Sequence, residues 1–508
     1  MFTTTFTHAD AGFGEIIAML ASAGLSFGSP RVVRRTVLDT FDGRLYAAGM
    51  RLEHVAGPSS HLALFAAGSL PATIGCADPP RFAADLPGGP FGARIRPLLE
   101  MRALLPVISF EDRTTTAIIR NSAEKAVATI VVHDTIATEG GASFGPTVEV
   151  VAATGHTEPA DELRTVAMTH GLFTIDDDVI GLVLRAASVD PAGFRSDPTV
   201  ELHRHDPAAA SFRSVLANLA RTIDANWQGT VDDIDTEFLH ELRVAVRRTR
   251  SVIGQAKRVL PESLRSRFRD DFAWLAHATG PTRDLDVYAL EWPKYIAGMS
   301  AEHAAALGPV LDHIEHHRVH ARADLVEVLT SDRAAAVMAA WHTVLTAEPD
   351  DTPSQAGAPI GRAVAKRFRQ AHETVLHQGR LIDAESPAEH LHDLRKDAKK
   401  LRYLVECFGG VMPTKLRKSF VKQLKGLQDN LGEHQDAEVH ATELNRVAAE
   451  LGREHIEPVT SGALAELTDR LDHTQRTARS EFAHRFSTYD SSETEAIIDH
   501  LLSALVAP

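Results

Sequence analysis

The chain has 508 residues, of which 44% are hydrophobic, 24% charged and only 6% aromatic, and its formal net charge is −15. A length of this order predicts two to four domains of roughly 100–200 residues each, and an acidic body poor in aromatics excludes a general nucleic-acid coat, so any polyanion site has to be a local concentration of cations. The only two cysteines, Cys76 and Cys407, exclude a disulfide framework or a zinc knuckle and fit a reducing compartment.

The first residues, MFTTTFTHADAGFG, lack the cationic and long apolar segments of a signal peptide, and no later stretch has eighteen uninterrupted apolar residues. The expectation is a cytoplasmic protein without membrane contact. From Met1 to about Val200, β-rich runs at Val32 to Leu38, His61 to Phe65, Thr114 to Arg120, Ala126 to His133 and Thr147 to Ala152 are separated by Gly and Pro clusters. They predict an antiparallel sheet or barrel, with helices near Gly14 to Ala23 and Ala160 to His170, the latter opened by Glu158-Pro159. Between about Ala186 and Ala210 no period is sustained, which places a linker there.

Beyond the linker the chain reads as helical almost throughout. LHELRVAVRRTR and LHDLRKDAKKLR share one design. Leu239, Leu242, Val246, Thr249 and Ile253 form a packing stripe beside His240, Arg243, Arg247 and Arg250; Leu391, Leu394, Ala398, Leu401 and Val405 do the same beside His392, Arg395, Lys399 and Arg402. The offset is 392 − 240 = 152, and it holds without a gap from Pro261 and Pro413 through Gly280 and Gly432, Asp284 and Asp436, to Val287 and Val439. Such a repeat predicts two copies, about 208–345 and 360–508, packed about a pseudo-twofold axis with the loop Thr346 to Gly361 between them. Basic helical stripes are ordinarily solvated faces balanced by acids four residues away. Here carboxylates are mostly absent from the stripes, and duplicating a self-repelling arrangement predicts a ligand that neutralises it.

Two resemblances refine this reading. DTFDGRLYAAGMRLEH resembles the early hairpin of the CYTH family of triphosphate-tunnel barrels, with Asp39, Thr40, Leu45, Gly49 and Leu52 matching its pattern. Glu53, His54 and Val55 stand where that family carries phosphate-binding arginines, and Phe2 to Ala9 has no carboxylate where the family's first strand binds a divalent metal. Glu149 and Asp134 fall where later carboxylates are expected. The resemblance therefore implies a degenerate, catalytically inactive CYTH-like domain over 1–200, left with a role as scaffold, homodimer surface or weak anion binder. The alternative is a residual triphosphatase or polyphosphatase that uses Mg²⁺; otherwise no cofactor is expected.

HELRVAVRRTR, LHDLRKDAKKLR, TGPTRDLDV and LGEHQDAEV together resemble the CHAD family, a helical domain named for its histidines and implicated in inorganic polyphosphate binding. The fold class expected is therefore α+β in two domains, with an all-α CHAD domain at 201–508 made of two helical bundles. Arginine forks and lysines suit a chain of phosphates that offers no base or groove to read. The candidate lining is His240, Arg243, Arg247, Arg248 and Arg250 facing His392, Arg395, Lys399, Lys400 and Arg402. Lys418, Lys422 and Lys425, and Arg362, Lys366 and Arg369, extend it at spacing i, i+4, i+7. The expected partner is inorganic polyphosphate, in granules or as free chains, and the scarcity of aromatics beside the stripes disfavours RNA. His240 and His392 either bond a carboxylate such as Asp284 or Asp436 or contact phosphate; a protonated imidazole would do both, with binding strengthening as pH falls toward 6. His313, His316, His317 and His320 have the spacing of a helical metal face, but no clustered carboxylate or cysteine joins them, so they read as a solvated face with no metal.

Overall fold

The computed structural model describes residues 3–66, 71–138, 145–153, 157–347, 353–452 and 457–507. Phe2 of the carboxylate-free segment, 348–352 of the expected loop and Pro508 lie outside the described residues. The chain divides into two units, Met1–Arg195 and Ser196–Pro508, and between Ala186 and Ala208 there is neither helix nor strand apart from a single bridge at Pro207.

The first unit runs β1 (Thr3–Thr7), α1 (Phe13–Ser22), β2 (Arg31–Asp39), α2 (Arg44–Ala47), β3 (Met50–Ala56), β4 (His61–Ala66), β5 (Ala72–Gly75), α3 (Gly89–Leu99), β6 (Leu105–Arg120), β7 (Ala126–Thr138), β8 (Thr147–Ala152), α4 (Thr157–Thr169), β9 (Phe173–Ile175) and α5 (Val179–Ala186). The strands form one antiparallel sheet in the order β5-β4-β3-β2-β6-β7-β8-β1-β9. Alternation sorts its faces. Phe6, Ile130, Val132, Val148 and Val150 pack under Ile16 and Leu20 of α1 and Leu163 of α4, while Val37, Ile108 and Phe110 pack on the other face against Val179, Ile180 and Val183 of α5.

The residues that carry the CYTH-like pattern build this turn. Asp39 is buried and accepts from the Leu45 and Tyr46 amides at 2.9 and 2.8 Å, which satisfies the start of α2. Leu45 and Leu52 are fully buried, and Gly49 sits at φ +67°, where any side chain is strained.

The second unit consists of α6 (Ala208–Val231), α7 (Thr236–Gln255), α8 (Glu262–Ala278), α9 (Gly280–Ile296), α10 (Ala301–Ala306), α11 (Gly308–Leu329), α12 (Asp332–Thr346), α13 (Ile360–Arg380), α14 (Ala388–Cys407), α15 (Thr414–Gly452), α16 (Pro458–Tyr489) and α17 (Ser492–Val506). Adding 152 to both bounds of α7 returns both bounds of α14 (236 + 152 = 388; 255 + 152 = 407). Helices α8 and α9 correspond to one unbroken helix, α15. In the first copy Gly280-Pro281 ends the run, because proline lacks the N–H that would continue it; the second copy has Gly432-Glu433 and does not stop.

The axis is visible in the backbone. Pro207 bridges Pro359, its own counterpart (207 + 152 = 359), and the flanking bonds are related by the same shift: Ala208 N to Ala358 O at 2.8 Å and Ile360 N to Asp206 O at 2.9 Å, then Ala209 N to Ala356 O and Gly361 N to Arg204 O, both 2.9 Å. One core spans the two copies, with Phe212, Leu242, Phe272 and Trp341 of the first joined to Phe368, Leu394, Phe408 and Phe420 of the second.

A cationic cavity between the two helical copies

Helices α7 and α14 turn their leucines into that core and their cations away from it. The neighbouring stripes meet in a cavity of about 1190 Å³ walled by α7, α8, α9, α13, α14 and α15. Ten Lys or Arg side chains and three Asp line it, a marked local excess of positive charge on an acidic chain.

Of the candidates named from sequence, the fold brings His240, Arg243, Arg247, Arg250, His392, Arg395, Lys399 and Lys400 together on this wall. Arg248 and Arg402 are placed otherwise. Both donate to Glu406, at 2.8 and 2.6 Å. Lys418, Lys422, Lys425, Arg362, Lys366 and Arg369 are solvent-exposed and do not line the cavity. On α13 the lining face is instead Arg367, Gln370, Ala371 and Thr374, also spaced i, i+3, i+4, i+7 and one step around the helix from the exposed cations. Adjacency to the buried Val364, Phe368 and Val375 marks that stripe.

Arg269, Arg283, Lys396, Tyr403 and Gln435 also line the wall. Arg283 and Gln435 are repeat-related (435 − 283 = 152) and belong to the blocks TGPTRDLDV and LGEHQDAEV, so carrying the stripes forward along the repeat would have found both.

The expectation that carboxylates are mostly absent is corrected by the fold. Asp436 accepts from Arg395 at 2.9 Å, and Asp284, its counterpart, lies 3.7 Å from Arg243; Asp397 takes Lys400 at 2.6 Å. The first two acids arrive from neighbouring helices and the third from i−3, neither of which a search at i+4 detects. His392 Nδ1 meets Gln435 Oε1, so the arginine one turn away takes the carboxylate.

Among the described residues Arg247, Arg250 and Lys399 make no ion pair. Arg247 and Lys399 occupy the same position of the repeat (399 − 247 = 152). Burial, reinforced by Arg395, Arg247 and Arg243 and opposed by Asp436, pushes the Lys399 ammonium down to about 7. Burial and the neighbouring Arg247 and Arg283 outweigh Asp284 to lower Arg243 as well. Unrelieved repulsion of this kind is what a bound polyanion would remove.

The first unit handles its charges differently. Arg35 donates to Glu53 at 2.7 Å and to Asp112 at 2.9 Å; Asp112 meets His133 Nδ1 at 2.9 Å, and His133 Nε2 lies 3.5 Å from Glu149. Glu149 accepts from the Val179 amide at 3.4 Å, while Arg51 pairs with Glu53 at 2.7 Å and with Asp178, which caps α5. The chain of contacts returns on itself across β8, β7, β6, β2, β3 and the start of α5. Burial opposes the His133 charge, but bonds to Asp112 and Glu149 hold its pKa up at about 9; against burial, His133 and Arg35 in turn keep Asp112 and Glu149 below the ordinary carboxylate range. Asp134, the other carboxylate at a position where the CYTH resemblance expects one, pairs with Arg113.

An internally duplicated helical unit with a cationic cavity on its pseudo-axis is the class that fold and site define. Residues 214–445 match the family model of the CHAD domain, and the second unit carries that domain. An uncharacterized protein of Mycobacterium tuberculosis is 23% identical over 254 residues, 48% of each chain, so the chain spans about half the length of the curated relatives it matches. Among solved structures, the CHAD domain from the plant Ricinus communis is 22% identical with a TM-score of 0.46, covering 62% of this chain and 96% of its own. The N-terminal sheet resembles a putative adenylyl cyclase from Hippeastrum, described as having a dominant triphosphatase activity, at 13% identity and a TM-score of 0.29 over 38% of this chain and 99% of that one. No helix among the described residues is long and apolar enough to cross a membrane.

Proposed function

We propose that the helical unit binds inorganic polyphosphate in the cavity between its two copies, recruiting the protein to long chains or granules, and that the N-terminal unit does not hydrolyse phosphate anhydrides. The observation that carries the first part is the wall itself: ten cations against three acids, drawn from both copies, with Arg247, Arg250 and Lys399 making no ion pair among the described residues. A linear polyanion satisfies donors that the protein leaves unmatched. Binding should weaken linearly in log salt as counterions are released, by the argument used for nucleic acids, and a slope corresponding to about four or more phosphates is expected. Titration of labelled long-chain polyphosphate from 50 to 300 mM salt measures it, and an affinity indifferent to salt would refute the site.

The second part rests on the ionic ring of the first unit. Mg²⁺ needs converging oxygen ligands, yet Glu53, Asp112 and Glu149 are each engaged by Arg35, Arg51 or His133, and β1 offers threonines. These residues do not fit a divalent ion. No phosphate release from triphosphate is expected with Mg²⁺ or Mn²⁺; metal-dependent turnover would favour the rival reading of a triphosphatase.

A further inference from the structure

Helix α11 presents His313 and His317 one turn apart, with ring centroids 4.5 Å from each other. Asp312 and Glu315 adjoin them in sequence, but the carboxylate that groups with both imidazoles comes from α15, 137 residues beyond His313. Glu450 Oε2 lies 2.8 Å from His313 Nε2 and 3.4 Å from His317 Nε2, and one donor atom from each of the three side chains lies within 4.8 Å of the others. The other carboxylate oxygen, Oε1, accepts from Arg446 at 2.5 Å. Arg446 thus holds the carboxylate in place while Oε2 faces both imidazoles.

We propose that His313, His317 and Glu450 form a binding site for one divalent transition-metal ion, with Zn²⁺ the best match. Two imidazole nitrogens and one carboxylate oxygen suit zinc, with bonds of about 2.0–2.2 Å, whereas Mg²⁺ and Ca²⁺ take oxygen alone. The side chains are 18%, 36% and 29% exposed, so an ion can enter and water can complete the coordination. Metal bonding at His313 Nε2 requires the ring proton to sit on Nδ1: a neutral ring moves its Nε2 proton there, and a charged ring releases the Nε2 proton to solvent and keeps the one on Nδ1. Arg446 supplies the outer bond that orients a ligating carboxylate. The residue after His313 is Ile314, so the His-Glu-x-x-His arrangement of hydrolytic zinc sites is absent. The ion therefore staples α11 of the first copy to α15 of the second.

His316 and His320 serve as the control. They are exposed, their Nε2 atoms are 3.1 Å apart, and among the described residues no carboxylate groups with them. Calorimetric titration of the full chain with ZnCl₂, with Co²⁺ absorption as the spectroscopic check, should give one equivalent of tight binding and a raised Tm. Glu450→Gln and the pair His313→Ala with His317→Ala should each lose about 100-fold or more, since even an outer partner is worth about 10–100-fold. The pair His316→Ala with His320→Ala should keep wild-type affinity. Absence of a stoichiometric Zn²⁺ site in the wild type, retention of it in Glu450→Gln, or its loss in the His316/His320 variant would each overturn the proposal. The readout is the metal itself, so the result is independent of whether the cavity binds phosphate.

Discussion

Reversing Arg395 and Lys399 together to glutamate should abolish polyphosphate binding while leaving the helical fold intact. Each charge-assisted bond lost is worth about 1.5–3 kcal/mol, so two bonds correspond to a weakening of roughly 10²–10⁴-fold. Repulsion by the new carboxylates adds to this. Arg395 also pairs with Asp436, so its reversal places two acids side by side and can disturb α14 locally. Arg247→Glu avoids that complication, since Arg247 has no ion-pair partner among the described residues and faces the same cavity. Polyphosphate titration alongside circular dichroism checks both variants. Near-wild-type affinity in either folded variant would remove the cavity from consideration.

The second large effect is on pH dependence. With Lys399 at about 7 in the free protein, a bound polyanion raises it toward the ordinary lysine value of about 10.4. Below pH 7 the ammonium is charged in both states and contributes no slope. Above pH 7 binding takes up a proton, so affinity should fall about tenfold per pH unit until the bound-state pKa is reached. Burial sets this first, with Arg395 on its own helix and Arg247 and Arg243 from α7 adding to it and Asp436 from α15 opposing it. Lys399→Arg keeps its charge throughout, so the variant should bind more tightly than wild type at pH 8–9 with a flattened profile. An unchanged slope in Lys399→Arg would assign the proton to another group. This places the expected pH response above neutrality, a different window from the strengthening toward pH 6 that the histidines suggested in sequence.

Much of the helical unit could be read in advance because a repeat is a tertiary statement written in one dimension. The offset of 152 carries the bounds of α7 onto those of α14, and in the folded chain it also relates the two sides of the ladder at Pro207 and Pro359. In the first unit the same kind of pattern recognition located a turn but no chemistry. Asp39, Leu45, Gly49 and Leu52 are there to cap, pack and bend, while the ionic ring draws single residues from strands far apart in sequence and leaves no local signature.

Periodicity alone determined which side chains share a helix face: a stripe at 3.6 residues per turn keeps His392, Arg395, Lys399 and Arg402 together whatever surrounds them. It could not determine which of several polar faces meets a neighbour. Only docking of the helices sent Arg367 to the cavity while Lys366 and Arg369 face solvent, gave Arg248 of α7 to Glu406 of α14, and carried Asp436 to Arg395 and Glu450 to His313. Faces are set by bonds between near neighbours in the chain. Partners across helices are set by how the shared apolar core closes, which no stretch of sequence records by itself.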